Sequence, residues 1–222
     1  MIRLEARNLP IAAGAAGSAL RGGCAMRGRN RGRYTVRMVT KTRVSLDEFL
    51  ALEETKPYLE LIDGEVVAKP MPNDAHSTIV AELIFYLRLY LGRTLEGVVK
   101  TERRHLFRAM ERVYLPDIEV EIGRQPIQRA IVERVPDFAI EVLSPDSHPG
   151  RVAEKVDFYL RAGVQLTWLV DPDTQTVTVY RPDRAPQLFR RGQQVEAAPV
   201  LREFSLDTDA LFSLLDEPDE GI

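Results

Sequence analysis

The chain has 222 residues, 45% of them hydrophobic, a formal net charge of −3 and a single cysteine, Cys24. That length carries one ordinary domain with a substantial core. One cysteine excludes an intrachain disulfide, a cysteine-rich zinc site and a CxxC redox motif, and no apolar run is long enough to span a membrane, which together favour a cytoplasmic protein with no membrane association. Charge is unevenly placed along the chain. Up to Thr40 there are eight arginines against Glu5 alone, a net of +7, which leaves −10 for the remainder. Such a basic, Gly- and Ala-rich start reads as a disordered extension or a mis-assigned translation start, with Met26 and Met38 as alternative starts, ahead of a nucleic-acid-binding arm. The expected organisation is an extension over 1–40, one domain over 41–215 and a fraying tail over 216–222.

Ser45-Leu46-Asp47-Glu48 is a capping box that opens a short helix to about Glu53, with Leu46, Phe49 and Leu50 as its apolar side. Tyr58–Ile62 and Glu65–Ala68 flank Asp63-Gly64, the pattern of a tight hairpin. Asn73 or Asp74 caps a longer helix, about His76 to Leu91, which Gly92 is expected to close. Three strand signals follow at Gly97–Thr101, Arg104–Arg108 and Arg112–Ile122, the last with Asp117, Glu119 and Glu121 on one face. Phe138, Ile140 and Val142 then alternate with Asp137, Ala139, Glu141 and Leu143, a strand that leads into a helix from about Ser147 to Ala162, ended by Gly163. Strands at Leu166–Val170 and Val177–Tyr180, a hairpin near Gln187 to Glu196, and a helix capped by Ser205 or Asp207 complete the chain. The order predicts an α/β or α+β domain in which a mixed sheet is flanked by helices.

Two carboxylates and a lysine interrupt this apolar pattern. Glu141 lies mid-strand between Ile140 and Val142, with no turn to cap, and Lys155 falls on the inner edge of the next helix. Buried charges are costly unless paired or bound to metal. Asp117 and Asp137 each follow a proline, where a carboxylate that caps a turn is the commoner role. Lys155 alone reads more readily as a snorkelling surface lysine, and His76 as a cap or surface residue. Taken together, Asp117 and Glu141 on adjacent strands could offer oxygen ligands to one magnesium or manganese ion, with Lys155 near the attacking water or the developing phosphoryl charge. His76, His105 and His148 are too scattered for a histidine metal site, and one tryptophan offers little wall to a glycosidase cleft.

These pieces resemble the Uma-type restriction endonuclease family of bacteria, a branch of the PD-(D/E)xK nuclease superfamily. The resemblance rests on Tyr58-Leu59-Glu60-Leu61-Ile62-Asp63-Gly64-Glu65, the His76 helix, Tyr114-Leu115-Pro116-Asp117, Pro136-Asp137-Phe138-Ala139-Ile140-Glu141-Val142-Leu143-Ser144-Pro145, Lys155 with Tyr159, Ala162-Gly163-Val164, and Trp168-Leu169-Val170-Asp171-Pro172. It covers about Val44 to Pro182 and implies a restriction-endonuclease-like fold and magnesium-dependent (or manganese-dependent) cleavage of DNA. Asp117 and Glu141 would bind the metal, with Glu60 and the Val142 carbonyl as auxiliary ligands and Lys155 as the catalytic lysine. Leu143 departs from the superfamily pattern, which has lysine there, and Lys155 on the following helix matches the displaced position. No organic cofactor is implied, and a homodimer is left open. The competing class is an inactive nucleic-acid-binding or interaction module of the same fold, for which Arg103, Arg104, Arg108 and Arg112 could form a basic strip.

Overall fold

The computed structural model describes residues 43–94, 97–123, 126–127 and 131–216, so the expectations for 1–40 and 217–222 lie outside the described residues. Helix α1 (Leu46–Leu50) opens with the predicted capping box: the Ser45 hydroxyl accepts from the Glu48 N–H, and the Glu48 carboxylate accepts from the Ser45 N–H at 2.8 Å. Strands β1 (Leu59–Ile62) and β2 (Glu65–Ala68) form the hairpin, with Ile62 opposite Glu65 and Asp63 and Gly64 both at positive φ in the turn.

Helix α2 (Asp74–Thr94) starts where the Asn73 carboxamide accepts the His76 N–H at 2.8 Å, and it continues through Gly92 instead of ending there. A glycine stops a helix where the chain turns left-handed, and Gly92 does not turn; burial of Leu91 keeps the last turn on the core. The third strand signal also divides. Strands β3 (Gly97–Thr101) and β4 (His105–Phe107) are followed by β5 (Arg112–Tyr114) and β6 (Ile118–Ile122), which belong to different sheets and are joined by Leu115-Pro116-Asp117. Pro116 cannot donate to a ladder, so pairing changes there.

Strand β7 (Phe138–Val142), helix α3 (Pro149–Ala162) and strand β8 (Leu166–Asp171) form a crossover unit, with β7 and β8 parallel and Glu141 opposite Leu169. Helix α3 begins two residues later than predicted because Ser147 serves the preceding turn, its hydroxyl accepting the Ser144 N–H at 2.9 Å, while Pro149 supplies the first helical φ. Gly163 ends the helix at φ +103°, a conformation that side-chain-bearing residues rarely adopt.

Strands β9 (Thr176–Tyr180) and β10 (Gln187–Arg190) extend the large sheet. The hairpin expected over Gln187 to Glu196 does not form, because β10 pairs with β9 whereas β11 (Gln194–Glu196) pairs with β12 (Ser205–Asp207). Asp207 caps α4 (Thr208–Phe212), and Ser205 lies in β12. Asp216, expected to fray, is held by the Arg191 guanidinium through two bonds of 2.6 and 2.7 Å.

The result is a mixed α+β fold with a six-stranded sheet ordered β10-β9-β8-β7-β6-β3, a four-stranded sheet ordered β2-β1-β5-β4 and the β11-β12 pair. Alternation along β7 decides the layers. Phe138, Ile140 and Val142 join Ile79, Leu83 and Leu87 of α2, whereas Ala139 packs with Phe158 and Tyr159 of α3 and with Tyr114 and Ile62 of the small sheet. Glu141 shares the Ala139 face, so it lies under α3 and beside the small sheet.

Candidate active site

Asp117 enters the site as the residue just before β6, the neighbour of β7 in the large sheet. Its Oδ2 accepts the Val142 N–H at 2.8 Å, so the backbone of β7 fixes the carboxylate beside Glu141. Its Oδ1 lies 2.7 Å from Lys69 Nζ, and His76 Nε2 stands 3.4 Å from Oδ2. Burial pushes the Asp117 carboxyl up, but Lys69, His76 and Lys155 outweigh it and hold the group well below the usual carboxylate range.

Lys155 reaches the same place from α3. Its Nζ donates to Glu141 at 3.0 Å and to the Leu115 carbonyl at 3.2 Å, and it forms an ion pair with Glu60 at 2.8 Å. Burial disfavours the ammonium, but Glu141, Glu60 and Asp117 reverse this and raise its pKa above the ordinary lysine value. A lysine so held stays cationic and cannot act as a base at neutral pH. With 11% of its side chain exposed, Lys155 is not the snorkelling surface residue that the helix pattern favours.

Glu141 accepts the Tyr159 hydroxyl at 2.8 Å as well as Lys155. Burial raises its pKa to about 7, with Lys155 opposing and Asp117 reinforcing the rise. Glu60, on β1, accepts the Leu115 N–H at 3.0 Å and thereby ties the small sheet to the segment that delivers Asp117. All four side chains line one cavity of about 420 Å³, together with Val142, Leu143, Lys69, His76 and the Ser144–Val152 approach to α3.

The acidic face expected along 117–121 does not act as one group. Glu119 pairs with Arg103 and His105, and Glu121 with Lys100 and Arg103, away from the cavity lining. Asp137 likewise accepts the Ile122 N–H at 2.8 Å and an Arg134 contact at 3.1 Å. The arginines of the expected basic strip each have an acidic partner: Arg103 faces Glu119 and Glu121, Arg104 faces Glu54, Arg108 faces Glu133, and Arg112 faces Asp63 and Glu154. Their charges find partners within the protein.

Two cavity residues escape a reading of the sequence. His76, which reads as a cap or surface residue, contributes only its N–H to the cap while its ring turns toward Asp117. Lys69 follows β2, and the hairpin register is the signal that could reveal it. Glu60 opposes Val67 and the Tyr58 carbonyl accepts the Lys69 N–H, so Glu60, Val67 and Lys69 share the face that meets the cavity.

Residues 46–209, which carry every side chain of this cavity, match the model of the Uma2 family, described as "Putative restriction endonuclease". The chain belongs to the Uma2 family. A crystal structure described as a "putative nuclease belonging to DUF820", from Anabaena variabilis ATCC 29413, is 35% identical to the chain, with a TM-score of 0.71 over 78% of this chain and 99% of that one. No curated protein matches. Family and structural neighbour together support nuclease function in general and a nuclease-like fold. No described helix is long and apolar enough to cross a membrane.

The donor set fits a hard divalent ion. Asp117 and Glu141 present carboxylate oxygens to one cavity, with Glu60 beside them, and magnesium commonly needs only one or two carboxylates, with water and substrate completing its shell. Among the described residues no group of three or more His, Cys, Asp or Glu side chains is arranged to hold a metal ion.

Proposed function

We propose that this Uma2 protein hydrolyses phosphodiester bonds, with DNA as its substrate and magnesium or manganese held by Asp117 and Glu141. The observation that carries this reading is the convergence of those two carboxylates and the buried Lys155 on one cavity. Preference for DNA follows the restriction-endonuclease description of the family model. When bound, the divalent ion would polarise a phosphoryl oxygen and lower the pKa of a coordinated water.

The protein's own part is positional and electrostatic. The Val142 N–H fixes the orientation of the Asp117 carboxylate, and the Tyr159 hydroxyl and Lys155 fix that of Glu141. Glu60 and the Leu115 carbonyl hold the Lys155 ammonium at the cavity wall, where it would offset charge on the phosphoryl group. The test is cleavage of plasmid and single-stranded DNA by purified protein, with and without magnesium or manganese, beside Asp117→Ala and Glu141→Ala. Metal-dependent cutting by the parent and loss in both variants is expected; undiminished cutting by both variants would remove these residues from the chemistry.

One observation favours the alternative of an inactive nucleic-acid-binding module: Lys69 and Lys155 already neutralise the carboxylates. Nucleic-acid binding without cleavage in the same assay would select it.

A further inference from the structure

The two lysines of the cavity are held in different ways. Lys155 donates aligned hydrogen bonds to Glu141 and the Leu115 carbonyl and also pairs with Glu60. Lys69 Nζ is buried and 2.7 Å from Asp117 Oδ1, yet makes no aligned hydrogen bond among the described residues. Its attachment is therefore Coulombic, and its N–H groups are buried without the stabilisation that alignment gives. Asp117 Oδ2 is already committed to the Val142 N–H, with His76 beside it. Oδ1 is thus the oxygen through which Asp117 would ligate a cation, and Lys69 stands on it.

From this we infer that Lys69 is an internal counter-ion that occupies the cation position at Asp117, so that the divalent ion loads by displacing an ammonium. This inference rests on the metal-dependent reading given above. Before loading, Lys69 is the cation in direct contact with a buried carboxylate and offsets its charge. A divalent ion at the same oxygen repels the ammonium at short range, and the flexible lysine stem can withdraw into the cavity of about 420 Å³ while the Lys69 backbone stays tied to the Tyr58 carbonyl at 2.8 Å. There it would meet a phosphate of the bound nucleic acid, which gives the released charge a new partner. Metal affinity is accordingly set in part by a residue that is not a ligand.

The test is calorimetric titration of the full chain with Mn²⁺ alone, for the parent, Lys69→Met, Lys69→Gln and Asp117→Asn. Removal of the competing ammonium should tighten Mn²⁺ binding by about tenfold in both Lys69 variants, equivalent to about 1.4 kcal/mol. Asp117→Asn should abolish it. The Lys69 variants should also melt at lower temperature without metal and gain more from Mn²⁺ than the parent does. Should Lys69→Met fail to fold, Lys69→Gln keeps a similar reach without the charge and decides the question. Parent and Lys69 variants that bind Mn²⁺ equally, or variants that bind more weakly, would overturn the counter-ion role and leave the metal site standing. No binding by any of the proteins would overturn the metal-dependent reading itself, and the inference with it.

Discussion

Replacement of Lys155 by methionine keeps much of the aliphatic volume between the Tyr114 and Tyr159 rings, whose centroids lie 5.7 and 5.9 Å from Nζ, and removes the charge. Glu60 and Glu141 then face each other with no ammonium between them, and the Leu115 carbonyl loses its side-chain donor. Loss of one partner of a buried ion pair costs about 3–5 kcal/mol, or roughly 6–20 °C of melting temperature for a chain of this size. The cost should depend on pH. Lys155 is the chief influence that lowers the Glu141 pKa, so its loss raises a group already at about 7.

A carboxyl raised above its unfolded value of 4.5 holds extra protons in the folded state, which makes stability fall as pH rises across that window. In the parent the window ends near pH 7, whereas in Lys155→Met it extends higher. The stability difference should therefore widen above pH 7, by at most about 1.4 kcal/mol per pH unit. Urea unfolding of both proteins at about pH 6, 7 and 8 measures this directly. A loss below about 1 kcal/mol at every pH, or one that does not widen with pH, would refute the assignment of Lys155 as the counter-ion of two buried carboxylates. A rate assay alone could not separate the two roles, since the same lysine would serve both folding and chemistry.

Two further outcomes follow from the sheets. The Glu121 carboxyl is lowered because Lys100, Arg103 and Arg134 outweigh the effect of burial, so its stabilisation is present above the unfolded value of 4.5 and is lost as pH falls through the folded value. Glu121→Gln should be less stable than the parent at about pH 6, with the gap narrowing in urea titrations toward about pH 3; a constant gap would argue against this origin. In Gly97→Ala the new Cβ would meet the Glu121 carbonyl oxygen at 2.5 Å across the β3-β6 ladder. A loss of about 1–3 kcal/mol in thermal unfolding is expected, and an unchanged melting temperature would show that the strand shifts without cost.

The parts of the fold most legible in the sequence are those where local chemistry and burial agree. The Ser45 capping box, the Asp63-Gly64 turn, the alternation of β7 and the Gly163 stop each name a backbone conformation that few other residues satisfy. Partner choice is less legible, because alternation marks a strand without naming its neighbour. Hence Arg112–Ile122 reads as one strand although Pro116 divides it between two sheets, and Gln187–Glu196 reads as a hairpin although each half pairs elsewhere. The candidate site follows the same division. Glu141 stands out because an acid between Ile140 and Val142 has no local use, whereas Lys69 and His76 lie beside a strand end and a helix cap, where polar residues attract no notice. Only the approach of β2 and α2 to Asp117 shows their place.

Leu115 links the cavity to the architecture in a way that opens it to observation without substrate. Its N–H is covered by Glu60, its carbonyl by Lys155, and the Val142 N–H is covered by Asp117. Two backbone amides are thus sealed by carboxylates of the proposed metal site, and deuterium can reach them only when those carboxylates let go. Because Leu115 lies where the chain passes from β5 to β6, such an opening also loosens the small sheet from the large one. Slow exchange at both amides, accelerated together in Glu60→Gln or Asp117→Asn, would mark the cavity and the junction of the sheets as a single cooperative unit.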